Sequence, residues 1–553
     1  MNSVRDTLRT AVERARTDAV VSGVLPADQA PLPPVSIQRP ARAEHGDYAT
    51  NAAMQLAPMA RMPPMRIAEA LVTELELPEA MGSAEVAPPG FINIRLEAGW
   101  VASQVGAILR AGTGYGRVPV EHPRSVNVEF VSANPTGPLT LGNARGAFVG
   151  DLLCRVLEAV GHHVTREYYF NDFNAQVRNL GLSVLARRTG DPIPEDGYRG
   201  EYVAALAASL PDDVWAAAAT TGADAGEVLG RWASERVRTG IEESLERLGV
   251  HFDVWTTEGS LYRDGWVERA VEELRKAGRV YEEDGAVWFR SSAFGDDKDR
   301  VVYRSNGQPT YFASDIGYLA QKFSRGFDEL IYLWGEDHHG TVARNRAAAR
   351  ALGFDPESVH WLLMAWVRFV RDGTEVGMSK RAGEFVTLDE LLEEIGPDAA
   401  RWFFGSRATT TGIDFDIELA KRQSNENPVY YVQYAHARCC SILRNARERS
   451  VEASTADAAA LLRHPAEQAL IRELLRLPEV LSDAAARRET HEVPKYCLEV
   501  AGLFSQFYRD CRVLTDDPEE ARFSGARLAL VDAVRLVLAN TLGTLGIAAP
   551  ETM

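Results

Sequence analysis

At 553 residues the chain is too long for one ordinary hydrophobic core, so about two to four domains are expected. Its 46% hydrophobic and 25% charged residues describe a soluble globular protein; no apolar run approaches the roughly 18 residues of a membrane span and no secretory h-region is present, so a cytoplasmic location is expected. The net charge of −18 excludes indiscriminate nucleic-acid binding but leaves room for a local basic face.

The first unit covers residues 1–112. Val4, Leu8, Val12, Ala15 and Ala19 recur at helical spacing, a Pro-rich stretch runs from Pro31 to Pro40, and Gly90 to Leu96 reads as a strand. The glycine-rich segment Gly112 to Gly116 closes it. The second unit, 113–425, alternates apolar strands with helical stretches, which predicts a parallel sheet with crossovers. Within it, residues from about 165 to 290 look like an insertion of long charged helices. The third unit, 426–553, is helical throughout. Leu528, Val531, Val534, Leu538, Leu542 and Leu545 form one apolar stripe, which predicts a bundle. From Pro428 onward 15 Lys and Arg face 17 Asp and Glu, and 14 of those cations are arginines, which fork onto phosphates. The five cysteines form no Cys-x-x-Cys pair and are read as buried thiols in a reducing compartment.

The richest segment is Val126 to Asp151. An apolar run, Val126 to Val131, predicts a buried strand; Asn134 to Pro138 turns the chain; a helix opens near Gly142, with Gly142, Gly146 and Gly150 on one face. A strand, a tight turn and a helix N-terminus together make a phosphate site. Glu129 and Asn134 would point into the crevice above the strand. A second motif, Gly377-Met-Ser-Lys-Arg-Ala-Gly383, is a cationic loop whose Lys380 and Arg381 could reach a polyphosphate.

Together these segments resemble the arginyl-tRNA synthetase family of class I aminoacyl-tRNA synthetases. Thr140-Leu-Gly-Asn143 stands where that family has His-x-Gly-His, and Gly377-Met-Ser-Lys380 where it has Lys-Met-Ser-Lys. The resemblance continues through His45-Gly-Asp-Tyr-Ala-Thr-Asn51, Pro88-Pro-Gly-Phe-Ile-Asn93 and Glu129-Phe-Val-Ser-Ala-Asn134. It extends to Tyr311-Phe-Ala-Ser-Asp315, Trp334-Gly-Glu-Asp-His-His-Gly340 and Tyr430 to Arg438, and so runs end to end in order.

The resemblance implies an α/β fold: a Rossmann-type parallel-sheet catalytic domain with an insertion. An N-terminal α+β domain that reads the tRNA elbow and a C-terminal all-α anticodon-binding bundle flank it. It implies that L-arginine and ATP, with Mg2+, give arginyl-adenylate and then arginyl-tRNA-Arg, adenylate formation typically waiting for bound tRNA. A monomer is expected. ATP contacts are implied for Thr140, Leu141, Gly142, Asn143, Gly146, Met378, Ser379, Lys380 and Arg381, with Thr140, Asn143 and Lys380 catalytic.

Arginine's planar guanidinium needs a carboxylate and an aromatic wall. Tyr311 and Asp315 lie four apart, on one face if helical, and are assigned to it; the resemblance implies that Glu129, Asn134 and His338 hold the amino acid's α-amino and carboxylate end. Phe91 and Asn93 are the elbow candidates, and Tyr430, Tyr434 and Arg438 the anticodon candidates. Asp337-His338-His339 could suggest a metal site, but no Cys or His at finger spacing joins it, so no zinc is expected.

The absent histidines leave three readings. Thr140 and Asn143 act as neutral donors in an active enzyme; the chain is an inactive paralogue that binds tRNA or arginine; or it passes activated arginine to a non-tRNA acceptor. The intact remainder of the motifs favours the first.

Overall fold

The computed structural model describes residues 3–26, 32–78, 80–172, 174–220, 224–371, 373–375 and 387–553. The N-terminal domain is α+β. Its first helix, Val4–Val21, buries the five residues of the predicted stripe, and Ser3 caps it by accepting from the Asp6 N–H at 3.0 Å. Four antiparallel strands, β1 (Ile37–Gln38), β2 (Tyr48–Thr50), β3 (Gly82–Ala87) and β4 (Phe91–Leu96), pair in the order β1-β2-β4-β3.

The second unit is built on a five-stranded parallel sheet. Its strands are β5 (Ser125–Glu129), β6 (His163–Phe170) and β7 (Val254–Thr257), then, after a small three-stranded sheet of β8 (Val280–Glu283), β9 (Ala286–Phe289) and β10 (Arg300–Tyr303), β11 (Glu329–Gly335) and β12 (Val359–Met364). The order β12-β11-β5-β6-β7 places β5 at the centre. A last small sheet joins β13 (Val367–Arg371), β14 (Thr374–Glu375) and β15 (Ile413–Asp416).

This topology corrects the expected insertion. Strands β6 and β7 fall inside residues 165–290 yet belong to the central sheet. The inserted matter is two separate pieces: four helices between β6 and β7, from Ala175–Thr189 to Ala225–Arg247, and the β8–β10 sheet, which ends beyond 290. The charged pair Arg166 and Glu167 disguises β6. Glu167 is fully buried and accepts from Asn127 at 2.6 Å, Thr256 at 2.6 Å, Tyr318 at 2.9 Å and Arg325 at 2.6 Å. Burial pushes its pKa up, but Lys322 and Arg325 outweigh that and hold it low.

The predicted strand Val126 to Val131 also ends early. Val131 and Ser132 take left-handed backbone, with φ of 66° and 41°. Such a conformation costs a non-glycine residue about 1–2 kcal/mol, and it turns the chain sharply off the end of β5. The next helix, Leu141–Ala159, packs back on that turn through its glycines. A Cβ on Gly150 would sit 2.3 Å from the Phe130 ring, so glycine sets the distance between helix and sheet.

The C-terminal unit is a helical bundle. Its longest helix, Ser524–Leu545, is long and apolar enough by length and composition to cross a membrane, contrary to the sequence expectation. Here all six predicted stripe residues are buried in the bundle. Arg401 ties this unit to the sheet domain: it donates to Asp151 at 2.7 Å, to the Leu545 carbonyl at 3.2 Å and to the Leu248 carbonyl at 2.8 Å. The five cysteines are free and buried.

Gly150→Leu is expected to lower the thermal midpoint, by overpacking of about 1–3 kcal/mol. Gly502→Leu, inside the helix Glu492–Asp510 with nothing within 4 Å of its Cβ position, is the control expected not to lower it and, by helix propensity, to raise it slightly.

Candidate active site

A cavity of about 920 Å³ opens at the carboxyl ends of the parallel strands, the usual ligand position in such a sheet. The loop after β5 supplies Val131 to Asn134, the end of β11 supplies Leu333 to Gly335, and the end of β12 supplies Met364 to Val367. All five residues assigned to arginine line this one cavity: Glu129, Asn134, Tyr311, Asp315 and His338.

The lining is rich in carboxylates. The helix Tyr311–Ser324 begins at the rim, where Tyr311 is 63% exposed, and carries Asp315 one turn deeper. Among the described residues no donor hydrogen-bonds to Asp315, and its nearest cation, Arg344, stands 4.0 Å away. Partial burial raises the Asp315 pKa to about 7, although 35% of its side chain stays exposed; Arg344 opposes the rise, and Glu258 and Glu129 add to it. Glu258, the first residue of the short helix after β7, is buried beside it. One of its oxygens accepts from Ser314 at 2.7 Å; the other is buried with no partner. Its pKa is raised, chiefly by burial.

Glu129 differs from these two. It is buried and ion-paired to Lys322 at 2.6 Å, and the Lys322 ammonium sits against the rings of Tyr318 and Tyr332 at 4.4 and 4.1 Å. Its charge is therefore already balanced. Asn134 donates to Gln176 of the inserted helix Ala175–Thr189 at 2.8 Å. His338 lies in the one-turn helix Glu336–His338, its ring 5.8 Å from that of Trp334.

The opening of the helix Leu141–Ala159 also lines the cavity. Gly142, Asn143 and Gly146 line the cavity, but Thr140 and Leu141 do not. Leu141 is fully buried in the core, against its assignment to ATP. Thr140, not Asn143, is the helix cap: its N–H and its hydroxyl both donate to Asn143 Oδ1, at 3.1 and 3.0 Å. The Thr140 hydroxyl proton is thus committed to its neighbour and cannot serve as a separate phosphate donor. The same bonds occupy the Asn143 carbonyl and leave its NH2 as the donor. Thr140 also bridges Thr387, and the Leu388 N–H donates to the Leu139 carbonyl at 2.9 Å, so residues 387 and 388 pack directly onto this turn. Met378, Ser379, Lys380 and Arg381 lie outside the described residues.

The nucleic-acid candidates divide. Phe91 is exposed, whereas Asn93 is buried in β4 between Ala49 and Glu85, which corrects its assignment to the elbow. On the helix Pro428–Glu448, Tyr430 and Tyr434 stack at 6.4 Å, and Arg438 lies over Tyr434 and, at 4.2 Å, over Tyr508. Tyr431 and His436 instead face inward, His436 Nδ1 bonding the Pro550 carbonyl at 2.8 Å. Glu258, Arg145 and Tyr508 are site or surface residues that the sequence did not single out. No spacing marks Glu258 or Tyr508, but Arg145 stands two places past Asn143 in the signature helix.

Comparison with known proteins fits this geometry. Residues 2–96 match the arginyl tRNA synthetase N terminal domain, 104–192 and 224–403 the catalytic domain of tRNA synthetases class I (R), and 432–553 the DALR anticodon binding domain. The arginine–tRNA ligase of Moorella thermoacetica is 46% identical over the whole of both chains. The chain belongs to the arginyl-tRNA synthetases. The ligase of Heliobacterium modesticaldum is 44% identical over 98% of this chain and 99% of its own. Among solved structures, an arginyl-tRNA synthetase of Thermus thermophilus superposes with a TM-score of 0.76 at 25% identity over all of both chains. One from Campylobacter jejuni gives 0.74 at 32% identity, covering 83% of this chain and 100% of its own. The gap in the catalytic match, 193–223, falls between β6 and β7. The cavity of this family member lies within the catalytic match.

Lys322→Met strands a buried Glu129 charge and is expected to destabilise the protein by about 3–5 kcal/mol. The double variant Lys322→Met/Glu129→Gln should recover most of that in denaturant unfolding; equal losses in both would show that the pair is not the cause.

Proposed function

We propose that this chain is an arginine–tRNA ligase. It activates L-arginine with ATP to arginyl-adenylate, releasing pyrophosphate, and transfers the arginyl group to the 3′ end of tRNA-Arg. The observation that carries this reading is the pair of cavity carboxylates, Asp315 and Glu258, answered by one cation, Arg344 at 4.0 Å from Asp315, in the cavity that the ATP signature helix also lines. Two acids with one distant cation between them are undercompensated, and a guanidinium, planar and always charged, satisfies both at once. A lysine side chain lacks the fork and would leave part of the site unpaired.

In this reading Tyr311 walls the guanidinium, and Asn134, His338 and the Glu129–Lys322 pair orient the amino and carboxylate end. The arginine carboxylate then attacks the α-phosphorus of ATP. The Asn143 NH2 is placed to donate to the phosphate oxygen on which charge grows, and Thr140 acts as its positioning residue. Lys380 is assigned a catalytic contact with the phosphates, with Arg381, Met378 and Ser379 completing that contact. Among the described residues no three His, Cys, Asp or Glu side chains gather as metal ligands, so magnesium is assigned to MgATP and held by phosphate oxygens. Phe91 is assigned to the tRNA elbow, and Tyr430, Tyr434, Arg438 and Tyr508 to unstacked anticodon bases. A monomer in the cytoplasm completes the proposal.

The test is arginine-dependent ATP–pyrophosphate exchange, with and without tRNA-Arg. Exchange and transfer to tRNA are expected; no exchange with a chargeable tRNA would refute the enzyme, and exchange without transfer would point to another acceptor.

The raised Asp315 pKa sets the pH dependence. The carboxylate must be ionised to hold arginine, so kcat/KM for arginine should fall as pH drops below about 7. Glu258→Gln removes a charge that raises this pKa and should move the acid limb to lower pH. For stability the sign is reversed. An acid raised in the folded state destabilises it increasingly between its unfolded pKa and about 7. Asp315→Asn is therefore expected to raise the thermal midpoint at pH 8, with no gain below pH ~4, while abolishing exchange.

A further inference from the structure

The helix Leu141–Ala159 carries a cation for which the described residues supply no counter-charge. Arg145 lines the same cavity as Gly142, Asn143 and Gly146, yet is only 2% exposed. Its two terminal nitrogens donate to the carbonyls of Ala365 at 2.7 Å and Ala408 at 2.8 Å, and its Nε is buried with no partner. Among the described residues no carboxylate pairs with it. The contrast with the other two buried arginines is direct. Arg401 is paired with Asp151 at 2.7 Å and Arg527 with Glu467 at 2.8 Å. The buried Lys322 is likewise paired, with Glu129.

Carbonyl oxygens offer Arg145 partial charge only. An ion withdrawn from water costs several kcal/mol unless a full opposite charge answers it. Burial lowers the Arg145 pKa to about 10, with no acid nearby to oppose the fall.

We propose that Arg145 is the fixed counter-charge for the phosphates of the bound nucleotide. The proposal rests on the ATP-dependent reaction above and deepens it. The signature turn retains only a neutral amide donor, Asn143, and Arg145, in the next stretch of the same helix, supplies the positive charge that this turn lacks. Because its fork is pinned to Ala365 and Ala408, the charge is pre-placed. The same two bonds hold the wall formed by Met364, Ala365 and Trp366.

The experiment measures binding of ATP, ADP, AMP and adenosine by calorimetry to the full chain, wild type, Arg145→Met and Arg145→Lys. Wild-type affinity should climb from adenosine to ATP. Arg145→Met should weaken ATP by roughly 10- to 100-fold, the size of a lost charge-assisted contact, with adenosine unchanged. Arg145→Lys keeps the charge and should restore the preference for ATP over adenosine to within about threefold of wild type. Equal losses for ATP and adenosine in either variant would overturn the proposal, leaving Arg145 as a brace for Ala365 and Ala408. Circular dichroism checks that each variant is folded; should Arg145→Met fail to fold, the Arg145→Lys preference decides. Wild-type pyrophosphate exchange is read separately, so loss of the enzyme reading and loss of this one are distinguishable.

Discussion

The buried ion pair between Glu129 and Lys322 organises the electrostatics of the site. Glu129 stands at the end of the central strand, where it would otherwise add a third free carboxylate to the cavity. Lys322 cancels it from behind, and Arg325 balances the still deeper Glu167. Removal of these two acids from the account leaves charge where substrate chemistry can use it. Asp315 and Glu258 share one cation, Arg344, 4.0 Å from Asp315, and Arg145 has no acid partner among the described residues. An amino acid with a cationic side chain and a nucleotide with anionic phosphates differ in sign, and the cavity lining offers undercompensated groups of both signs.

The backbone that holds this arrangement is itself constrained. Strand β5 stops at Glu129 because Val131 and Ser132 turn left-handed, and this brings the following loop across the sheet edge and into the cavity wall. Gly150 lets the signature helix seat against Phe130 behind that turn. A few kcal/mol of local strain are sustained by a strand buried on both faces and paired on both sides.

Much of this was legible in the sequence because the relevant signals are local. Helical spacing in Val4 to Ala19 and in Leu528 to Leu545 named the buried faces residue by residue. The Tyr311–Asp315 spacing placed both on the cavity side of one helix. What escaped depended on contacts distant along the chain. The charges of Arg166 and Glu167 hid a central strand because their partners lie far away in sequence. Asn93 looked like a surface polar group, yet the pairing of β4 with β2 and β3 buries it. Glu258 becomes a site residue only when β7 joins the sheet. Arg145 looked like an ordinary helical cation until its lack of an acid partner was visible. Leu141 and Thr140 were read as ligands from a motif; helix phase turns one into the core and the other toward its own neighbour.

The bonding of Thr140 to Asn143 has a consequence for substitution at either position. Exchange of Asn143 alone removes the acceptor for the Thr140 amide and hydroxyl; exchange of Thr140 alone removes the hydroxyl bond but keeps the backbone N–H bond to the Asn143 carbonyl. The first step gives up the whole capping interaction, a loss of about 1 kcal/mol, whereas the second gives up part of it. The two positions are thus coupled through a single carbonyl oxygen, and Asn143 is the costlier of the two to replace.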